Sequence, residues 1–437
     1  MTDGRKCRRM TVTDEKPIAA AAQCPVTSGF KPFDHDGTYE FFLGARREAP
    51  VFYNAETDYW VVTRREDVLA VFKDADRFSA ANVLSSVKPY PEELTRFLAD
   101  NNFTVEPVQS NTDRPRHSRI RQSAGQFLNP RRYRDFEPRV RALVQEYVEG
   151  LRDKVARGED EVDIVAELTH EMPARVVFML LGVDDVDPLQ IKRWALNRAT
   201  MIWGKLTDQE MIDAGHELNN FFQFCREIVE DRKVDPRDDY PSKLLELRDG
   251  DDSVLTENEI ICLVFALLLA GHEAVTNGLT ISVLTLLEHR EAWEELVADP
   301  SLIPRAIEEV LRHSTPVMTW RRTALEDVEL SGVTIPAGGK ILLSLASANH
   351  DEARFERPEV FDIHRRNSRE HLSFGYGIHV CMGAPLARAE LKIVLEELVN
   401  AFPGMSLVKG QQLEWTRTMA HRGPQSLKVR LGGSENG

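Results

Sequence analysis

The sequence is poor in several features that define whole classes of protein. It has only five cysteines in 437 residues, Cys7, Cys24, Cys225, Cys262 and Cys381, and none has the paired spacing of a zinc site. An odd number of scattered thiols argues against a disulfide framework, so we expect most of them to be inert. Lysine and arginine (55) are outnumbered by aspartate and glutamate (70), which argues against a general binder of nucleic acid or anionic membranes.

Long apolar runs and domain linkers are also scarce. The strongest apolar run, residues 260–271, is well short of the ~20 residues that span a bilayer. No secretory leader precedes residue 30, and we expect a cytoplasmic protein that does not bind membranes. Residues 1–28 lack apolar periodicity and predict a flexible N-terminal lead-in. We find no internal repeat and no linker rich in proline, glycine or serine, so residues 29–437 are predicted to form one domain.

The periodicity of the rest is mainly helical. Apolar residues recur at helical spacing over about 135–235 and 256–315, and Thr256 followed by Glu259 predicts a capping box at a helix start. A hairpin is predicted around residues 54–58, and a second small sheet at 327–346 around a turn at 336–339. The fold class is therefore mainly α with small β-sheets.

An unusual charge pattern lies between residues 114 and 141, where nine arginines stand against two acids, Asp135 and Glu137. The pattern fits either a solvated helix face or a docking patch for an anionic partner. If the patch is for docking, neutralising Arg131 and Arg132 should lower turnover with that partner and leave substrate affinity unchanged.

The C-terminal stretch HLSFGYGIHVCMGAPLARAELKIVLEELVNAF predicts a tight glycine-rich loop that runs into a helix. A cysteine at a helix start faces unpaired N–H groups and the positive end of the helix dipole, which favour a thiolate. The spacing Phe-x-x-Gly-x-x-x-Cys-x-Gly resembles the fingerprint of the cytochrome P-450 family, with all four fixed positions present in Phe374, Gly377, Cys381 and Gly383.

The resemblance implies the P-450 fold, a single domain that encloses haem b beneath a long central helix. It makes Cys381 the thiolate ligand of the haem iron, held by a loop that includes Phe374, Gly375 and Gly383. It also implies contacts to the haem propionates from four side chains: His117, Arg121, Arg322 and His379. Glu309 and Arg312 match the family's Glu-x-x-Arg pair, which has a structural role.

The predicted central helix departs from the family pattern. The family has an acid followed by two threonines, and the first threonine helps to deliver protons during oxygen activation. Here the acid is Glu273, but Ala274 and Val275 follow it, and Ala274 has no hydroxyl to relay a proton. Substrate or water could supply the hydroxyl, Thr276 could act through water, or the enzyme could use peroxide.

By the same resemblance, the protein is a bacterial monooxygenase that hydroxylates or O-/N-dealkylates a small hydrophobic, aromatic substrate with O₂. The predicted pocket contains four apolar residues: Leu267, Ala270, Val317 and Met318. The sequence is most similar to haem domains of enzymes fused to their reductase, but it shows no flavin or iron–sulfur segment. We therefore expect electrons from a separate ferredoxin or flavodoxin with its reductase. The alternatives are a peroxide-driven peroxygenase and a haem-based ligand sensor.

Overall fold

The computed structural model describes residues 27–35 and 37–432. The predicted lead-in lies outside the described residues except for Thr27 and Ser28, which begin a short 3₁₀ turn ending at Gly29. Helices dominate the described part: α1 Thr38–Glu48, α2 Arg65–Lys73, α3 Glu92–Asp100, α4 Arg116–Gly125, α5 Pro130–Ala156, α6 Met172–Leu181, α7 Pro188–Trp203, α8 Asp208–Val234, α9 Tyr240–Arg248, α10 Glu257–Ala270, α11 Glu273–Glu288, α12 Arg290–Ala298, α13 Ile303–His313, α14 Leu345–Ala348 and α15 Ala384–Ala401.

The strands are short: β1 Val51–Asn54, β2 Tyr59–Val62, β3 Phe78–Ser79, β4 Glu161–Asp163, β5 Thr319–Ala324, β6 Val328–Leu330, β7 Val333–Ile335, β8 Lys340–Ser344, β9 Ser406–Leu407 and β10 Lys428–Arg430. They form a five-stranded sheet in the order β1-β2-β8-β5-β3, a three-stranded sheet β4-β10-β9 and the hairpin β6-β7. The mainly α prediction with small sheets is confirmed.

The second predicted sheet is only partly right. The hairpin β6-β7 forms as expected, but β8 pairs in parallel with β2, with Val61 opposite Leu342, and antiparallel with β5. The turn at 336–339 therefore leads from the hairpin into the larger sheet. A parallel pair needs a long crossover, so the local alternation of residues could not reveal this partner.

The predicted central helix is present but interrupted. The capping box at Thr256 and Glu259 opens α10 as predicted, and two residues separate the end of α10 at Ala270 from the start of α11 at Glu273. Gly271 occupies the break, where an added Cβ would lie 2.6 Å from a methyl group of Val177. The stretch Glu257–Glu288 is long and apolar enough to cross a membrane, but 61% of its most apolar window is buried inside the protein, as expected for a core helix.

The main apolar core lies between the central helices and their neighbours. Helix α15, which follows the predicted cysteine loop, packs against α5, α11 and α13. This packing holds α15, with the cysteine loop at its start, against the second half of the central helix, α11.

Candidate functional site

The loop before α15 is built around two glycines with left-handed backbone. Gly375 has φ 69° and Gly377 has φ 73°, and a Cβ at Gly377 would lie 2.4 Å from the carbonyl oxygen of Phe72. The Cys381 N–H donates to the Phe374 carbonyl at 3.0 Å, which closes the loop. Only glycine combines this backbone with so close a neighbour, so the glycine spacing fixes the position of Cys381.

The Cys381 side chain has solvent-accessible surface at the turn before α15, although much of its surroundings is protein. This burial raises the pKa of the thiol, whereas the N–H groups of Gly383 and Ala384 and the guanidinium of Arg121 oppose the rise. The sulfur therefore receives N–H donors at the start of α15. This environment stabilises a thiolate that has a cationic partner.

The four predicted propionate contacts converge beside this loop. The rings of His117 and His379 lie 4.3 Å apart, and the charges of Arg121 and Arg322 act on them. Burial and Arg322 lower the pKa of His379 to about 4, so its ring is neutral at neutral pH. Its Nε2 lies 3.0 Å from the Thr112 carbonyl.

Two of these side chains have unused donors. Both ring nitrogens of the buried His117 lack a hydrogen-bond partner among the residues that the structure describes. Arg322 is 2% exposed and has no ion-pair partner among residues 27–35 and 37–432. Buried cations and donors without acceptors are rare because they lose hydration. A thiol ligand and a rim of unused donors fit a haem, with its iron and two carboxylates.

The Glu309–Arg312 pair is fully buried on α13. Arg312 donates from Nε and from a terminal nitrogen to the two carboxylate oxygens at 2.8 and 2.7 Å. The same guanidinium also donates to the carbonyls of Asn349, Pro358 and Val360. The pair therefore joins α13 to the loop after α14, which is a structural role.

A second buried cluster, which the sequence reasoning missed, lies beside the cysteine loop. Glu308 accepts hydrogen bonds from Arg388 at 2.6 and 3.0 Å and lies 3.1 Å from His371 Nε2. Burial raises the pKa of Glu308, but His371 and Arg388 lower it overall to about 2. The Arg388 guanidinium lies 4.5 Å from the Phe374 ring, so the cluster supports the loop.

On the central helix, Glu273 has an unpredicted partner. Lys192 of α7 is 2% exposed, and its Nζ lies 2.9 Å from Glu273 Oε1 and 3.0 Å from Thr276 Oγ1. His272 Nδ1 lies 3.3 Å from the same Glu273 oxygen. Burial raises the pKa of Glu273, but Lys192 and His272 reverse this effect, and the net pKa lies below its usual range. Glu273 is therefore held as a carboxylate.

One sequence signal could have identified Lys192. It shares a helix face with Ala195 and Ala199, three and seven residues later, and both alanines are buried. A lysine on the apolar face of a helix predicts a buried counter-ion. The same contact orients Thr276: its hydroxyl oxygen accepts from Lys192 Nζ and the residue is 7% exposed, so its side chain lies towards α7. A role for Thr276 in proton delivery stays a prediction.

The predicted pocket residues divide into two groups. Ala270 is exposed and Leu267 and Ala274 are half-buried although they lie on core helices, and Val317 is also half-buried, so all four keep apolar surface that a bound molecule could cover. Met318 was predicted wrongly. It is 2% exposed and packs into a separate cluster with Phe42 and Ala346, because adjacent residues of an extended chain point to opposite sides.

The arginine-rich segment is partly neutralised within the protein. Five of its nine arginines pair with carboxylates: Arg116, Arg119, Arg132, Arg139 and Arg141. Arg132 lies over the rings of Phe127 and Phe136 and binds Asp238 at 2.7 Å, so part of its charge is neutralised within the protein; its role as a docking cation stays a prediction. The exposed arginines without an ion pair in the described part of the segment are Arg114, Arg131 and Arg134.

Comparison with known proteins gives one consistent family. A model described as Cytochrome P450 matches residues 96–413. The chain is 33% identical over 411 residues to 6-deoxyerythronolide B hydroxylase of Saccharopolyspora erythraea, covering 91% of this chain and 97% of the hydroxylase. It resembles the structure of cytochrome P450 CREJ in complex with (4-ethylphenyl) dihydrogen phosphate, with a TM-score of 0.89, 37% identity and coverage of 92% and 99%. An intact type IV self-sufficient cytochrome P450 monooxygenase matches with a TM-score of 0.88 and 35% identity, over 93% of this chain and 53% of that enzyme.

Proposed function

The chain belongs to the cytochrome P450 family and is a haem-thiolate monooxygenase that binds haem b, and from this premise we propose its substrate class, electron donor and proton route. The proposed reaction is hydroxylation, or O- or N-dealkylation, of a small hydrophobic aromatic molecule in the bacterial cytoplasm. The observation that carries the proposal is the accessible Cys381 thiol, which receives N–H donors at the start of α15 and lies near the cation of Arg121.

Each part of the site has a distinct task. When bound, haem supplies the iron at which O₂ is activated with two electrons and two protons. Cys381 provides the thiolate ligand, and the N–H groups of Gly383 and Ala384 stabilise its negative charge. His117, Arg121, Arg322 and His379 hold the two propionates and so orient the ring.

Glu273 is proposed to handle protons under the control of Lys192. While the ion pair is closed, Lys192 keeps Glu273 as a carboxylate. If Nζ moves away, burial dominates and raises the pKa of the carboxyl group, so Oε1 takes up a proton. Water beside Ala274 then occupies the place of the missing hydroxyl and accepts that proton.

The substrate proposal rests on the apolar character of the predicted lining. Leu267, Ala270 and Val317 offer apolar contacts, which suit a small hydrophobic ring. The similar CREJ structure contains (4-ethylphenyl) dihydrogen phosphate, a small alkyl-substituted aromatic compound. This likeness supports an aromatic substrate for the present enzyme.

A separate ferredoxin or flavodoxin is the proposed electron donor. Arg131 and Arg134 are exposed cations without ion pairs on a chain with net charge -15, so they offer a local positive surface to an acidic partner. We expect the double change Arg131→Gln and Arg134→Gln to lower ferredoxin-supported turnover and leave substrate affinity unchanged. Arg96→Gln, at an exposed arginine of α3, is the control. Unchanged turnover would remove this surface from donor docking.

The peroxygenase alternative remains because Ala274 cannot relay a proton. Product formation with ferredoxin, reductase and nicotinamide cofactor is therefore compared with formation from peroxide alone. Faster formation from peroxide would overturn the donor-dependent route.

The haem-thiolate site has a spectroscopic test. The reduced, carbon-monoxide-bound protein should absorb at about 450 nm because the ligand is a thiolate. Cys381→Ser should abolish this band, whereas Cys262→Ser, at a buried thiol that accepts from the Glu106 N–H, should keep it. Persistence of the band in the Cys381 variant would exclude that residue as the ligand.

A further inference from the structure

A buried guanidinium without a counter-ion lies between the large sheet and the C-terminal segment. Arg321 of β5 is 0% exposed, and it forms no ion pair within residues 27–35 and 37–432. It donates to the carbonyls of Ser85 at 2.5 Å and Ile202 at 2.9 Å. A terminal nitrogen also lies 3.4 Å from Met419 Sδ, and within the described residues the Arg321 Nε–H has no acceptor. The guanidinium lies 3.9 Å from the Trp203 ring.

This charge persists at neutral pH. Burial lowers the pKa of Arg321 only to about 10, so the side chain stays a cation. Burying a charge without an opposite charge costs several kcal/mol in order of magnitude. The haem propionates account for the neighbouring Arg322, but β5 directs Arg321 to the opposite side of the sheet, where it packs near Leu342.

His421 also lies beside Trp203. Its main chain pairs with Val317, and its ring meets the Trp203 indole edge-on, with 6.4 Å between centroids. The ring is half-buried and has no hydrogen-bond partner among the described residues. Burial lowers the pKa of His421 and the charge of Glu273 acts on the ring, so a neutral imidazole N–H is available near the central helix.

The charges around Arg321 and His421 do not balance. Lys192 neutralises Glu273, whereas no carboxylate in the described part of the chain pairs with Arg321. A positive potential therefore extends into a region of low dielectric, where it is only weakly screened.

We propose that His421 and Arg321 form a recognition corner for an anionic group on the substrate, with His421 donating the direct hydrogen bond and Arg321 supplying the opposite charge. The ligand class is a small aromatic molecule that carries a carboxylate or a phosphate monoester. This assignment rests on the proposed function, and it adds the charge of the substrate.

A purely structural role for Arg321 makes a different prediction. Its hydrogen bonds to Ser85 and Ile202 join the loop before α3 to the end of α7. If it acts only as a clasp, the enzyme should not distinguish a charged ligand from a neutral one of the same shape.

The first test uses the wild-type holoenzyme and ligands of equal shape. 4-Ethylbenzoate and 4-ethylbenzamide are titrated and their dissociation constants are taken from the low-to-high-spin shift, with 4-ethylphenyl phosphate as the second anion. We expect the tighter-binding anion to bind at least about tenfold more tightly than the amide. The stronger of the two anions identifies carboxylate or phosphate as the preferred group, and equal affinity of all three overturns the proposal.

The second test uses variants with a matched control. Arg321→Met and His421→Phe should each reduce the ratio of anion to amide affinity, and His421→Asn, which keeps a donor, should restore part of it. Arg198→Met is the control, because Arg198 is also buried, stacked at 3.6 Å on Phe265 and without a carboxylate, but it packs near Cys225 and Tyr90. It should keep the ratio.

The band at about 450 nm reports whether each variant retains the haem-thiolate site. If Arg321→Met does not retain it, His421→Phe decides the outcome alone, and an unchanged ratio in that variant overturns the proposal. If only the anion assignment is wrong, the band at about 450 nm and the turnover of neutral compounds are still observed. If the proposed function is wrong, they are not observed.

Discussion

The Lys192–Glu273 pair gives the sharpest prediction. We expect Lys192→Met to destabilise the protein, because it leaves the carboxyl group of Glu273 buried without its counter-ion. At 2.9 Å, an effective dielectric of about 20 gives an attraction of about 6 kcal/mol. Desolvation of both ions offsets part of this attraction, so removing one partner should cost about 3–5 kcal/mol.

The pH dependence of the loss follows from Glu273. In the wild type the folded-state pKa of Glu273 lies below the usual 4.5. The stabilisation that the ion pair contributes is therefore fully present above pH 4.5 and is lost only as pH falls through the folded-state pKa. In Lys192→Met burial raises the folded pKa, so stability falls as pH rises from 4.5 towards that pKa. The difference between the proteins should be larger at about pH 8 than at about pH 5.

The assay is urea unfolding of the single variants Lys192→Met and Glu273→Gln and of the double variant Lys192→Met/Glu273→Gln. With a slope of about 3 kcal/mol per molar, each single change should lower the midpoint by on the order of 1 M. The double variant replaces the ion pair by neutral groups and should recover most of the loss, since such replacements are often nearly neutral. If the losses of the single variants simply add in the double variant, the two residues do not interact and the proposed control of Glu273 is wrong.

Three further outcomes test the scaffold around the site. Gly377→Ala should reduce haem incorporation, measured by the band at about 450 nm, because the added Cβ would clash with Phe72. Gly410→Ala is the control, since Gly410 has a similar φ but no described neighbour within 4 Å of the added Cβ, and it should not reduce incorporation. Equal loss in both variants would point to backbone conformation alone. Arg312→Lys should lower stability by about 3 kcal/mol in urea unfolding, since lysine cannot serve a carboxylate and three carbonyls together, and an unchanged midpoint would contradict this role. Glu308, with a pKa of about 2, contributes stability above pH 4.5 that is lost as pH falls towards 2. Glu308→Gln should therefore weaken the dependence of the unfolding free energy on pH over that range. An unchanged pH dependence would contradict this role of Glu308.

The sequence predicts best where the determining interactions are local. The Cys381 loop follows from glycines within a few residues of the thiol, and the capping box of α10 from Thr256 and Glu259 alone. The Glu309–Arg312 pair is equally local, being one helical turn apart. In each case the chain between the interacting residues has little freedom, so spacing determines geometry.

Prediction fails where partners are distant in the chain. Lys192 and Thr276 are 84 residues apart, and only the packing of α7 on the central helix brings them together. The sequence of the arginine-rich segment could not show that Arg132 is paired for the same reason, because the acid that neutralises Arg132 comes from a loop about a hundred residues later. Charge counts in a window cannot show which cations are already paired.

The missing hydroxyl at Ala274 is best understood through these distant contacts. Burial and Lys192 act on Glu273 in opposite directions, so the state of its carboxyl group depends on the position of one ammonium group. Lys192 belongs to α7, whose last turn also supplies the Ile202 carbonyl to Arg321 and the Trp203 ring beside His421. A substrate that settles against this corner therefore touches the same helix that holds Glu273. Proton uptake can then respond to substrate binding without a threonine beside the acid, because the control lies in α7 and not in the residue after Glu273.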